Sequence, residues 1–161
     1  MAQAVRDVAS HIGRILAEER VLLGELGRLL EEERQVLKDA APEEIERVGA
    51  TRQRCVEALS RLDAERSDAC KLLSYGTGRA GFEKLLDALG PAAGLRERWH
   101  ANLELARHCR ELNDRNGALV SAKLNFVQKQ LSVLRGTAPP PVYGRTLQRA
   151  SALGSRDLGR A

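Results

Sequence analysis

From Val5 to Leu37 the apolar residues fall at Val5, Val8, Ile12, Ile15, Leu22, Leu26, Leu29 and Val36, alternately three and four apart, and only Glu19 and Glu33 break the series. A second column, Leu16, Leu23, Leu30 and Leu37, repeats every seven residues. Residues three and four apart share one face of an α-helix, so the columns merge into a single wide stripe. A stripe that wide requires more than one partner helix, or a partner helix and a ligand. The opposite face carries Arg14, Glu18, Arg20, Glu25, Arg28, Glu31, Glu32, Arg34 and Lys38. The pattern predicts a helix from about Gln3 to Lys38, a rod of about 50 Å. Gly13, Gly24 and Gly27 lie inside it and each costs about 1 kcal/mol against Ala. Packing, not propensity, must hold this helix.

Asp39-Ala40-Ala41-Pro42 is the first break, with Pro42, Glu43 and Glu44 suited to the first turn of a new helix. That second helix carries Ile45, Val48, Cys55, Val56, Leu59, Leu62, Ala69, Leu72 and Leu73, with Arg52 and Arg66 in seam-like positions. The short link makes the first two helices antiparallel neighbours. Ser74-Tyr75-Gly76-Thr77-Gly78 ends the second helix. Phe82, Leu85, Leu86 and Leu89 then predict a short amphipathic piece, closed by Gly90-Pro91, that caps the open end.

A third long helix is predicted from near Ala92, carrying Leu95, Trp99, Leu103, Leu105, Cys109, Leu112, Leu119, Val120, Leu124, Val127, Leu131 and Leu134. Asn113-Asp114-Arg115-Asn116-Gly117 reads equally as a turn, which would make a four-helix bundle, or as continuous helix. In the second case Asn113 and Asn116 share a face near the seam, where a polar residue costs stability but fixes register. After Arg135-Gly136, Thr137-Ala138-Pro139-Pro140-Pro141 favours extended backbone. The expected fold is all-α: an antiparallel bundle or coiled coil of three long helices, up-down-up, with a short capping helix. Residues 1–135 form the helical domain and 136–161 a Pro-rich break and a mobile basic tail.

Composition agrees with this reading. The chain has 161 residues, is 43% hydrophobic and 30% charged, and contains five aromatics. No run of alternating β-branched residues reads as a strand. The net charge of +4 resides in the tail, where five basic residues from Arg135 onward face one acid, Asp157. No aromatic-rich basic motif accompanies them, so nucleic acid is not the expected partner. Cys55, Cys70 and Cys109 lack ligand spacing and read as buried, reduced thiols. His11, His100 and His108 are scattered, and the acidic pairs lie on a solvated face. No catalytic, metal or cofactor constellation is present in the pattern, so an enzyme is not expected. With no apolar segment of bilayer length and no secretory pattern at Met1–Asp7, a soluble cytoplasmic protein is expected. A rod with a wide apolar stripe and an apolar-basic tail suits recognition of another helix.

The run Leu112–Val120, the run Phe126–Leu134, the Pro-rich break and Val142-Tyr143-Gly144 together resemble the C-terminal half of FlgN-type flagellar export chaperones. The leucine-rich first helix with Glu18-Glu19 and the closing Ser155-Arg156-Asp157-Leu158-Gly159 are similar to that family too. One departure is Leu147, where the family often has a Gly three residues after the Tyr-Gly glycine. The resemblance implies that the protein keeps the hook-filament junction proteins FlgK and FlgL unassembled and delivers them to the type III export gate. It implies that Tyr143 docks on the gate protein FlhA, and it favours one continuous helix across 113–117. The client surface is assigned to Leu119, Val120, Leu124, Val127, Leu131 and Leu134. The plain alternative is that these six are bundle core and the protein is a structural coiled-coil adaptor or self-associating bundle.

Overall fold

The computed structural model of the chain describes residues 2–91 and 94–136. Four helices follow in order: α1 (Ala2–Asp39), α2 (Pro42–Leu72), α3 (Gly78–Leu89) and α4 (Leu95–Arg135). Among the described residues none lies in a strand. Pro42 stands in the first turn of α2, with Glu43 and Glu44 near its positive end. The stretch Asn113–Gly117 is uninterrupted helix inside α4. Two boundaries differ from the pattern. The third long helix begins at Leu95 rather than near Ala92, because Gly94 is left-handed (φ +62°) and a helix cannot run through that conformation. Leu72 and Leu73, placed on the α2 stripe by spacing, are exposed, because α2 ends at Leu72 and the chain turns away through Leu73 and the left-handed Ser74 (φ +61°).

α1 is the central element. The column Leu16, Leu23, Leu30 and Leu37 is buried, and so are Ile12, Ile15, Leu26 and Leu29 of the other; Val8, Leu22 and Val36 are half-buried, and Val5, placed on the stripe by spacing, is exposed because α1 there runs ahead of the start of α4. α2 and α4 pack on it side by side. Against α2 the ion pairs Arg14–Glu65 (2.7 Å) and Arg47–Glu32 (3.1 Å) run in opposite sequence order, so the two helices are antiparallel. Against α4 the pairing is parallel and has a fixed offset. The Asn102 amide donates to the Leu16 carbonyl (2.9 Å), the Cys109 thiol to Leu23 (3.4 Å), the Asn116 amide to Leu30 (2.9 Å) and the Lys123 ammonium to Leu37. Each partner is 86 residues away in sequence. The column of leucines that the pattern singles out is therefore also a column of backbone acceptors.

The two acids that interrupt the α1 series anchor polar layers. Glu19 receives Arg66 of α2 (2.5 Å) and the Asn102 amide of α4 (3.3 Å). Glu33 forms an ion pair with Arg52 (3.1 Å) and accepts a hydrogen bond from the Asn116 amide (2.9 Å). In all three helices the layers are fourteen residues apart. Arg66 also lies over the rings of Trp99 (4.5 Å) and Phe82 (5.2 Å), which meet edge to face at 4.8 Å. All four helices converge there. Burial pushes the Glu19 carboxyl above its ordinary value, outweighing the opposite pull of Arg66 and of the Asn102 hydrogen bond. A carboxyl raised on folding favours the folded state only while protonated, and its contribution is lost as pH rises from the ordinary carboxylate value through the raised one. The Glu19 carboxyl therefore contributes less to stability at neutral pH than at mildly acid pH.

α3 closes one end of the molecule. Phe82, Leu85 and Leu86 are buried with Ile12, Ile15, Leu95 and Trp99. Gly81 allows this approach: a Cβ there would lie 2.9 Å from the backbone at Tyr75 and Gly76.

Two outcomes test this packing. Gly117 has open space around it in mid-helix, so Gly117→Ala is expected to stabilise the protein by about 0.5–1 kcal/mol in urea denaturation; a loss would mean the helix is broken there. Glu19→Leu is expected to cost about 1–3 kcal/mol, because Arg66 loses its buried partner and keeps only Asp63, and adding Arg66→Met is expected to recover part of it. Additive losses in the double variant would refute the layer as drawn.

Candidate interaction surface on helix α4

At the end opposite α3, helix α4 outruns α1. With the constant offset, Asp39, the last residue of α1, stands level with Asn125. Residues 126–135 therefore project past it by about 15 Å. Lys123 marks the junction, donating to the carbonyls of Leu37 and, at 2.7 Å, Lys38. A cation there complements the negative end of α1.

The apolar stripe of α4 does not stop where α1 stops. Phe126 and Val133 continue the seven-residue column of Leu105, Leu112 and Leu119, and Val127 and Leu134 continue the column of Val120. Leu112 is buried against α1, and Leu119 and Val120 are half-buried. Leu124, Phe126, Val127, Leu131, Val133 and Leu134 are all exposed, by 43–82%. Of the six residues assigned to the client surface, four thus lie on an open apolar face and two at its edge against the core. Phe126 and Val133 belong to the same face and are absent from that assignment. The signal was available, because both stand at seven-residue steps from Leu112.

This surface is basic as well as apolar. Arg115, Lys123, Lys129 and Arg135 lie between residues 115 and 136, and no acid does. Gly136, left-handed at φ +64°, ends the helix. Tyr143, the predicted gate-docking residue, and the Pro-rich break and tail lie outside the described residues.

The remaining candidate chemistry is structural. Cys55, Cys70 and Cys109 are free and buried. Burial raises all three thiols, Cys109 to about 11, which suppresses the reactive thiolate. Cys55 and Cys109 donate to the neighbouring carbonyls of Leu22 and Leu23. Among the described residues no group of three His, Cys, Asp or Glu is placed to hold a metal ion, and no helix is long and apolar enough to cross a membrane.

Fold and surface together define an all-helical protein whose longest helix carries an apolar, basic face beyond its core. The chain belongs to the FlgN family: the model described as FlgN protein matches residues 9–151. It is similar to the proteins named Flagella synthesis protein FlgN of Salmonella typhimurium and Salmonella typhi. Each is 30% identical over 86 residues, which is 53% of this chain and 61% of the relative. The chain thus spans about three-fifths of the length of the curated relatives it matches. No solved structure matches it.

Proposed function

We propose that this protein is a flagellar export chaperone without enzymatic activity. It binds the C-terminal helical segment of hook-filament junction proteins of the FlgK and FlgL type in the cytoplasm. It prevents their early assembly and delivers them to the type III export gate. The observation that carries this reading is the exposed apolar face of α4 beyond Asn125 on a chain of the FlgN family. A client whose own apolar helix would self-associate is held soluble when a second apolar helix covers it. In this reading the three long helices form a rigid up-down-up bundle over residues 1–135. Residues 136–161 are the delivery tail, in which Tyr143 engages FlhA.

Titration calorimetry of the full chain against the C-terminal segment of the FlgK-type protein from the same genome is expected to give one-to-one binding at about micromolar affinity or tighter, roughly −8 kcal/mol. The double variant Leu124→Asp, Leu131→Asp is expected to weaken binding by about a hundredfold or more with an unchanged helical spectrum, because both residues are exposed. Absent binding, together with concentration-dependent dimerisation through this face, would make the protein a structural adaptor. Tyr143→Ala is expected to leave folding and client affinity unaltered while weakening pull-down of the cytoplasmic part of FlhA. Loss of helicity in that variant would remove the docking role.

A further inference from the structure

The ladder between α4 and α1 has a rung without a partner. Asn102, Cys109, Asn116 and Lys123 stand seven apart, and each donates to an α1 carbonyl. The next position is Gln130, an exposed amide in the middle of the open apolar face. α1 ends before it can supply the matching carbonyl. Resting on the chaperone reading, we infer that the projecting part of α4 takes a partner helix in the line that α1 vacates. Gln130 donates to a backbone carbonyl of that helix, and acidic side chains flank the partner's apolar stripe.

Three observations determine the occupant. The face is a continuation of the one that packs on α1, with Phe126 and Val133 on one side of Gln130 and Val127 and Leu134 on the other, so its shape suits a helix of about three turns. Direction follows from helix geometry. Side chains lean toward the N-terminus of their helix, and helix carbonyls point toward the C-terminus. Donor and acceptor face each other when the helices are parallel, as α1 and α4 are. The partner's N-terminus then meets the C-terminal end of α1 and the acids Asp39, Glu43 and Glu44, which suit a positive helix end. Finally, the projecting residues 126–135 carry Lys129 and Arg135 and no acid, with Lys129 bordering the stripe beside Phe126 and Val133. Two other occupants have the wrong charge. A second copy would set one basic face against another. The chain's own residues 137–161 contain Arg145, Arg149, Arg156 and Arg160 against one acid. A backbone acceptor reads no side chain, so this site selects for helix, stripe and charge rather than for one sequence.

The test uses the full chain and two synthetic stapled fourteen-residue helices with identical leucine stripes, one flanked by Glu and one by Lys, alongside the FlgK-type segment. The Glu-flanked helix is expected to bind at least tenfold more tightly than the Lys-flanked one, and to weaken as salt rises. Gln130→Leu is expected to weaken it about fivefold, the scale of one net hydrogen bond, while Gln130→Asn, the residue used at two other rungs, retains binding. A photo-crosslinker replacing Val127 is expected to label the helix's N-terminal half, and one replacing Leu134 its C-terminal half. Equal or reversed preference for flanking charge, indifference to Gln130→Leu, or a reversed labelling order overturns the inference. So does crosslinking of Val133 to residues 137–161 of the same chain, or a dimer that Phe126→Asp dissolves. If the FlgK-type segment binds but these dependences are absent, the chaperone reading stands and this inference falls. If only the Glu-flanked helix binds, the site stands and the proposed client is wrong.

Discussion

The structure depends on a ladder of side-chain donors reaching from one helix to the backbone of another. A helix carbonyl already accepts one amide proton and has a second lone pair to offer. Asn102, Cys109 and Asn116 use that capacity at Leu16, Leu23 and Leu30, and Lys123 satisfies the carbonyl of Leu37 in the last turn of α1, which has no amide of its own. Sliding α4 along α1 by one residue would lose every rung and rotate the apolar stripe out of the interface. Sliding it by a full heptad would restore donors to carbonyls and leucines to leucines, so the ladder alone tolerates that error. The polar layers reject it. A seven-residue slip sets Glu19 opposite Cys109 or Leu95, and Glu33 opposite Lys123 or Cys109, in place of the asparagines and with the α2 arginines left behind.

Such specification carries a cost. Glu19 and Arg66 are nearly excluded from water, and desolvation raises the Glu19 carboxyl despite a cation at 2.5 Å. The Oδ1 atoms of Asn102 and Asn116 are buried without a hydrogen-bond partner among the described residues. Apolar residues at these positions would stabilise the core more, and would permit neighbouring registers. The rings of Phe82 and Trp99 against the Arg66 guanidinium offset part of the cost, and they tie α3 into the same layer.

Register also sets the position of the exposed surface. Because the offset between α1 and α4 is constant, the ends of the helices are staggered by a definite amount. At one end α3 packs against Ile12, Ile15 and Trp99, and at the other the apolar side chains Phe126, Val127, Val133 and Leu134 are exposed. The same apolar columns that form the core become an exposed face once α1 stops. The proposed chaperone activity thus needs no separate binding module. It uses an unfinished part of the core, held rigid by the ladder immediately below it.

The sequence by itself determined the helices and their inner faces. Periods of three, four and seven report directly which side of a helix is apolar, and Pro42, Ser74 to Gly78, and Gly136 mark where helices cannot continue. It also showed Glu19, Glu33, Arg52, Arg66 and Asn116 as exceptions, each singly. Tertiary structure decided that these exceptions answer one another, because complementarity between residues 47 or 83 apart leaves no local trace. The turn-like run Asn113–Gly117 became helix because Asn116 finds Leu30 and Glu33 on α1, partners that outweigh local turn preference. Phe126 and Val133 were legible as members of a column, but whether that column is core or surface depends on where a neighbouring helix ends. That is a property of the register between two helices, which the pattern of either helix alone cannot contain.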